Sequence, residues 1–580
     1  MKHLAQLLLS LFTILSFPLL AHGQASIRLS IPSRDQNNVS SSKQFIAGRT
    51  CIGCTVTINN DSVYVYPTGT FAVKKELVQG KSTFVVNAQD STGTRYTKTV
   101  TYYYTPAPAP RPTTTFKIDF IEIRPSGNLE LLEGDTLKIK TKAYPGATAS
   151  WFNNEQLKEL PASQSGGVPG YYVGTHIIGA EDSLLNGKIT VTLRTKNGET
   201  AYLTSPNRYR YLRNEKITTG RTIDNMTYIT STTEGDRLGP NKLGYLDKNV
   251  LLQIVGKQGE YYKVRLSSKQ NAFIPIPFLD TEIAQEGVPV SIISDAKIWG
   301  DDKYDYISVE LSDRMPYIST QLNDPGKIIV DVHGAYAEQR VNNALQNTQE
   351  ISQIAWGQPA PDVFRMMISL KHNVWGYKIY YEGNRLTVRI KRIPKNLSLN
   401  NMTIAVDPGH GGSNPGATGL TGAVEKNFTL VLSLLLKNAL EKEGAKVLIT
   451  RTTDQFVNNE ERLSFYRQVD PDLLMSIHLN SSVNPVDVFG TATYYRQPFC
   501  EAFCAAIHKR LLETGLSDFG NNGDFNFILN NPTEFPDALI ETLFLSNPGD
   551  EAALLDPAFQ QLLVQKIVQG VKDYVQSVKR

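Results

Sequence analysis

Four residues in the last third of this 580-residue chain break the apolar logic of their surroundings. His410 stands in "VDPGHGGSNPGA", a glycine-rich bend that follows the apolar run "MTIAVD". A structural histidine more often lies against a packed face, whereas one among glycines has room beside it. His478 is near the end of "LLMSIHLN". On a strand, Ser476, His478 and Asn480 share one face while Met475, Ile477 and Leu479 take the other. Glu541 interrupts "DALIETLFLSN", where an unpaired buried acid is costly. It needs either an arginine such as Arg451 or Arg462, or a wet cavity to face. Glu425, in "GAVEKN", opens a helix, a place the helix dipole alone would also favour. Two imidazoles and two carboxylates converging on one sheet end suit zinc, with three protein ligands, an open position for water and a fourth group as general base.

The elements that must bring these residues together read as an alternation of strands and helices. "MTIAVD", "AKVLITR", "DLLMSIHLN", "GTATYYR", "FNFIL" and "DALIETLFLS" are strand-like. Between them "EKNFTLVLSLLLKNALEKEG" has helical periodicity with Gly444 as a stop signal. "NNEERLSFYRQV" is a helix capped by Asn458 or Asn459, and "PFCEAFCAAIHKRLLETG" and "PAFQQLLVQKIVQGVKDYVQSV" are two more. Apolar runs alternating with helices predict an α/β domain over 401–580, with a mostly parallel sheet covered by helices on both faces. Sites in such sheets form beyond the carboxyl ends of strands, where His410 falls.

The preceding sequence is of another kind. Over the whole chain, 30 prolines, 42 glycines and 27 tyrosines lean toward strands and turns. Residues 24–105 read as an immunoglobulin-like β domain, with a hairpin around Asn59, Asn60 and Asp61. A Pro-rich linker spans 106–115, and a second β-sandwich spans 116–212. Residues 217–282 resemble a bacterial SH3-like barrel, with a turn between Gly256 and Gly259. Residues 285–394 are similar to the AMIN-type β domains of cell-wall amidases, ending in a hairpin at Glu382–Asn384.

Residues 1–23 read as a signal peptide, with Lys2 before an apolar stretch and Ala21 and Gly23 before the cut. No later run is apolar enough to span a membrane, and no cysteine near the cut offers a lipid anchor. The expected location is therefore exported, in the periplasm or cell envelope. With 59 basic and 56 acidic residues the chain has no nucleic-acid footprint. Cys51 and Cys54 are spaced for a tight disulfide, and Cys500 and Cys504 sit one helical turn apart, where a bridge is awkward.

From about Met402 to Val578 the chain resembles the zinc-dependent N-acetylmuramoyl-L-alanine amidases of the "amidase 3" type. The resemblance is carried in order by "VDPGHGGSNPGA", "EKNFTL", "ITRTTD", "ERLSFYRQVDPDLLMSIHLNS" and "ALIETLFLSNPGDEAAL". It implies zinc on His410, Glu425 and His478, with Glu541 as the catalytic acid/base. Zinc would polarise the scissile carbonyl and make its water more acidic. The bond cut would join the lactyl group of N-acetylmuramic acid to L-alanine. Asp407 and Asn480 would support the site or touch substrate.

Two stretches depart from the pattern: "GSNPGA" has asparagine where aspartate is common, and "NNPTEFPDALIE" is long and polar at its start. Neither is expected to touch a ligand. No long insertion separates His478 from Glu541, which puts any regulation in the N-terminal domains. The expected partners are peptidoglycan and a protein activator or divisome component. Two other readings remain: a non-catalytic wall-binding scaffold, which intact site residues disfavour, and a zinc carboxypeptidase acting on wall peptides.

Overall fold

The computed structural model describes residues 25–578 apart from 109, 183–186, 213–217, 236–237, 282–287, 325 and 339–343. The segment read as a signal peptide lies outside the described residues. Among those described, no helix is long and apolar enough to cross a membrane.

Four β-rich units precede a helical one. The first (25–105) packs a three-stranded sheet on a five-stranded sheet around Ile46, Phe71, Val86 and Tyr102. Its hairpin turns on Asn59 and Asn60, with φ of 50° and 72°. That left-handed pair matches the twist of the flanking strands. Cys51 and Cys54 are disulfide-bonded, with Cα atoms 5.3 Å apart. The second unit (116–212) is a seven-stranded sheet around Trp151, Tyr172 and Leu193. Two of its short strands, Leu129–Leu131 and Tyr209–Tyr211, leave that sheet and join the nine-stranded sheet of the third unit (218–280). In the third unit the expected turn is narrower than 256–259. Gly256 lies inside strand Leu251–Gln258, at a break in register, and the chain reverses at Gly259–Glu260. The fourth unit (288–394) packs a five-stranded sheet on a four-stranded one. The third and fourth units share one hydrophobic core, which runs from Ile229 to Ile390 and takes in Phe499 and Cys500 of the last domain.

The last domain alternates β1 (Thr403–Pro408), α1 (Glu425–Lys442), β2 (Lys446–Ile449), α2 (Asn459–Val469), β3 (Leu473–Asn480), β4 (Thr491–Tyr494), α3 (Glu501–Leu512), β5 (Asp518–Asn522), β6 (Asp537–Phe544), α4 (Pro548–Leu554) and α5 (Pro557–Ser577). Its six-stranded sheet runs β2-β1-β3-β6-β4-β5. The first four strands are parallel, and β4 and β5 run the other way. The sheet is therefore mixed.

Alternate strand residues face opposite sides. Ile404, Val406, Met475, Ile477 and Ile540 pack under α1, α3 and α5, while Ala405 and Leu474 pack under Leu463 and Tyr466 of α2. In α1 the spacing of Leu432, Leu436 and Leu440 puts three fully buried leucines on one stripe, each contributing on the order of 1.5–3 kcal/mol. The helix stops at Gly444, whose φ of 91° lets Ala445 N donate back to Leu440 O. Asn458 caps α2 by accepting from Glu461 N, and the Glu461 side chain accepts from Asn458 N in return.

One expected strand is absent. "FNFIL" is not part of the sheet, and Asp518–Asn522 takes the edge beside β4. Phe525 and Phe527 instead stack on each other and against Tyr494. Asn530 Nδ2 donates to Tyr494 O, and Asn531 Nδ2 to Phe527 O. Apolar and aromatic content made the segment look like a strand; the two asparagines that follow it bind backbone carbonyls that a ladder would otherwise use.

Candidate metal and catalytic site

β1 ends at Pro408 and the chain bends at once. His410 has φ of 60°, a conformation rare outside glycine and typical of strained functional positions. Two glycines make the room. A Cβ on Gly409 would strike the His478 imidazole, and one on Gly416 would strike Glu425 and His410. The bend brings His410 Nε2 to 3.1 Å from Glu425 Oε1. The same oxygen is 3.1 Å from His478 Nδ1 and accepts from Leu479 N at 2.9 Å. Ala417 N donates to Oε2 at 2.8 Å. One candidate ligand atom from each of the three side chains lies within 4.8 Å of the others. Glu425 is buried at the start of α1, and the two rings meet edge to face with centroids 5.0 Å apart.

The charges are coupled. Burial alone would raise the Glu425 carboxyl, but hydrogen bonds from His410 and His478 and their charge outweigh it and hold it well below the carboxylate range. Burial works against the His410 cation, yet Glu425 wins and raises its pKa.

Glu541 stands beside His478, in register across β3 and β6. It is partly exposed to the cleft, but its Oε2 is shielded and finds no hydrogen-bond partner among the described residues. Burial, and then the negative charge of Glu425, push its carboxyl well above the ordinary range. The suggested ion pair with Arg451 or Arg462 is not formed. Arg451 instead donates to the carbonyls of Pro408, Gly409 and Lys426. Arg462 holds Asp407 through both carboxylate oxygens, at 2.8 and 2.9 Å.

The role of these arginines is what sequence reasoning missed. Arg462 also donates to Pro408 O at 2.7 Å and His410 O at 2.6 Å, so it fixes the backbone of the bend. Its signal was a charged residue one turn from Tyr466 on the buried stripe of α2. Asp407 touches neither histidine. It accepts from Arg462, Thr450, Tyr466 and Ser476, and so acts on His410 through Arg462. Asn480 lies at the rim of the cleft.

The two departures from the familiar pattern both have a place. Contrary to expectation, Asn414 does reach a site residue: its Oδ1 is 3.0 Å from His410 Nδ1. That contact sets the ring's tautomer and turns Nε2 toward Glu425. The polar start of "NNPTEFPDALIE" docks the fourth β unit: Tyr377 N donates to Thr533 O and Thr533 Oγ1 to Tyr377 O.

The whole site opens into a cleft of about 1170 Å³. Its lining includes Phe456, Asn458 and Phe527 on the side of the last domain, and Tyr228, Thr230, Lys242 and Tyr261 from the third β unit.

Residues 404–573 match the N-acetylmuramoyl-L-alanine amidase family, and residues 295–390 match the AMIN domain. Among curated proteins the chain is similar to the "probable cell wall amidase LytH" of Staphylococcus epidermidis, with 33% identity over 181 residues, 31% of this chain and 60% of that protein. The Staphylococcus aureus protein of the same name is 34% identical over 178 residues, 30% of this chain and 59% of that one. The chain thus spans less than two thirds of these relatives. Among solved structures, the catalytic domain of CwlV, an N-acetylmuramoyl-L-alanine amidase from Bacillus (Paenibacillus) polymyxa var. colistinus, is 33% identical, covering 31% of this chain and 99% of that one with a TM-score of 0.29. The N-acetylmuramoyl-L-alanine amidase from Clostridium difficile 630 is 30% identical, covering 31% and 98% with a TM-score of 0.30.

Proposed function

We propose, from the match of residues 404–573 to the N-acetylmuramoyl-L-alanine amidase family, that the protein is an exported peptidoglycan hydrolase. It cuts the amide between the lactyl group of N-acetylmuramic acid and L-alanine, in wall remodelling or cell separation. The observation that carries this reading is the convergence of His410, Glu425 and His478 on one point, with Glu541 beside them on the wall of a cleft.

The donor set fits zinc. Two imidazole nitrogens and one carboxylate oxygen are a zinc hydrolase's ligand types, and the cleft leaves a side open to water and substrate. His410, Glu425 and His478 would hold the ion. When bound, it supplies a Lewis acid beside the scissile carbonyl and the attacking water. The chain does the rest. Asn414 fixes the His410 ring, and Leu479 N and Ala417 N fix the Glu425 carboxylate. Glu541 takes the water's proton on its carboxylate and returns it to the departing amine of L-alanine.

The β units are read as two immunoglobulin-like sandwiches, an SH3-like barrel and an AMIN-like domain. They hold the enzyme on the wall of the periplasm or cell envelope and offer surfaces to a protein activator.

Digestion of purified peptidoglycan tests the reading. The products expected are free L-alanine amino termini and sugar chains that keep muramic acid intact. A chelator and Glu541→Ala should each abolish release. Normal digestion by Glu541→Ala refutes the mechanism, and release of D-alanine alone selects the carboxypeptidase.

A further inference from the structure

Among the described residues lining the cleft, Phe456 is the large apolar side chain left exposed, at 53%. A lone exposed phenylalanine needs no explanation. This one is fastened beside the site. The segment 453–456 lies flush against the bend that carries His410. Asp454 accepts from Gly412 N at 2.8 Å and from Lys426 Nζ at 2.6 Å, and the same ammonium donates to Gly412 O at 2.9 Å. Arg451 donates to Thr453 O at 3.2 Å. A Cβ on Gly411 would strike Gln455 O, and one on Gly412 would strike the backbone and Cβ of Phe456. The glycines of the bend therefore let the phenylalanine stand at the mouth of the cleft, on backbone tied to the proposed ligand His410. An aromatic face already held in place costs little to order when something stacks on it.

The chemistry of the remaining lining says what that could be. Asn458 and Asn459 follow Phe456, Asn480 stands at the rim, and Asn526 and Phe527 line the cleft as well. Beyond the proposed ligands and Glu541, the charged side chains among the described lining residues are Asp407, Arg462 and Lys242. Asp407 and Arg462 bind each other beneath the bend. The Lys242 ammonium is engaged by the Tyr245 hydroxyl at 3.0 Å and by the rings of Tyr228 and Tyr245. Aromatic faces and side-chain amides, with the charges already partnered, suit a neutral N-acetylated sugar. The C–H face of its ring stacks on an aromatic face, its hydroxyls and N-acetyl group bond amides, and it brings no charge in need of a counter-ion. A stem peptide beyond L-alanine carries carboxylates, which call for cations.

Resting on the amidase reading, we propose that Phe456 is the specificity residue of a glycan subsite: a sugar ring of the strand stacks on its exposed face while the lactyl amide lies against His410, Glu425, His478 and Glu541.

The test is calorimetric titration of the full chain with two probes. Tetra-N-acetylchitotetraose is a neutral N-acetylated sugar strand without lactyl group or peptide; the free stem tetrapeptide has no sugar. The sugar strand should bind the wild type, and Phe456→Ala should raise its Kd about tenfold, the effect of withdrawing roughly 60 Å² of apolar contact. Phe456→Tyr keeps the face and should keep the affinity, whereas Phe456→Leu, apolar but without a ring, should weaken binding as Phe456→Ala does. Any affinity for the tetrapeptide should stay within about twofold throughout. Thermal midpoints should match the wild type; if Phe456→Ala does not fold, Phe456→Leu carries the comparison. A wild type that ignores the sugar strand, equal Kd values for wild type and Phe456→Ala, or a loss that follows the tetrapeptide instead overturns the subsite. A wild type that binds the sugar strand through Phe456 but frees no L-alanine amino termini from peptidoglycan overturns the amidase reading and leaves the sugar site standing.

Discussion

Replacing Arg462 by methionine should be among the most damaging single changes in the C-terminal domain that leave every proposed ligand in place. The guanidinium is 3% exposed and donates to both oxygens of Asp407, which is 1% exposed, and to the carbonyls of Val457, Pro408 and His410. Without it, Asp407 loses its hydrogen-bonded cation and keeps only the hydroxyls of Thr450, Tyr466 and Ser476 and the more distant charge of Arg451. Breaking a buried pair from one side costs about 3–5 kcal/mol. For a domain of this size each kcal/mol moves the midpoint by about 2–4 °C, so a fall of about 6–20 °C is expected. The double variant Asp407→Asn/Arg462→Met removes the stranded charge, keeps an acceptor for the three hydroxyls, and should recover about 1–3 kcal/mol. Urea unfolding in a background that retains Trp375 as its one tryptophan reads this domain, because Trp375 stacks on Tyr574 of α5 inside its core. A loss below about 1 kcal/mol for Arg462→Met, or a double variant no more stable than the single, would refute the claim that this pair holds the bend.

Two further outcomes follow from the same structure. Asn414→Ala frees the Nδ1 side of His410 and should weaken zinc retention in competition with a chelator by about 10–100-fold, with little change in thermal stability of the zinc-free protein; unchanged retention would show that the ring is oriented by other contacts. Asp537 is fully buried beside Asn530 and Cys500, and burial raises its carboxyl to about 8. Folded protein then holds a proton that the unfolded chain loses near pH of about 4, so this group's contribution to stability falls as pH rises between those values and is flat above them. Asp537→Asn should flatten that part of the curve, read as the difference in unfolding free energy between pH 5 and pH 8; a slope equal to wild type's contradicts the assignment.

The sequence made the proposed ligands and the acid beside them legible for a physical reason. A histidine among glycines, a polar face on an apolar strand and an acid inside an apolar run are each expensive without a purpose, and the structure brings three of the four residues together and sets Glu541 next to His478. Helix limits were readable from local chemistry, as with the Asn458 cap and Gly444. What failed was either short or long-range. "FNFIL" is too brief for periodicity to separate a strand from a stacked loop. The role of Arg462 depends on carbonyls some fifty residues away along the chain, and the tyrosines and lysine of the third β unit meet the cleft only through tertiary docking. No spacing rule links such residues. Asn414 is the instructive case, since it looked like a harmless exchange and is the partner of His410.

The Trp375–Tyr574 stack has a further consequence, for where this chain can be cut. By sequence similarity Trp375 lies within residues 295–390, the AMIN match, yet its ring is part of the core under α1, α3 and α5. In the other direction Phe499 and Cys500 fill the core shared by the third and fourth β units. A fragment that starts at residue 401 would carry a hole the size of an indole and an uncovered phenylalanine. The borders along which such chains are recombined in evolution, or trimmed for expression, are therefore not the borders along which this one separates into independently stable bodies.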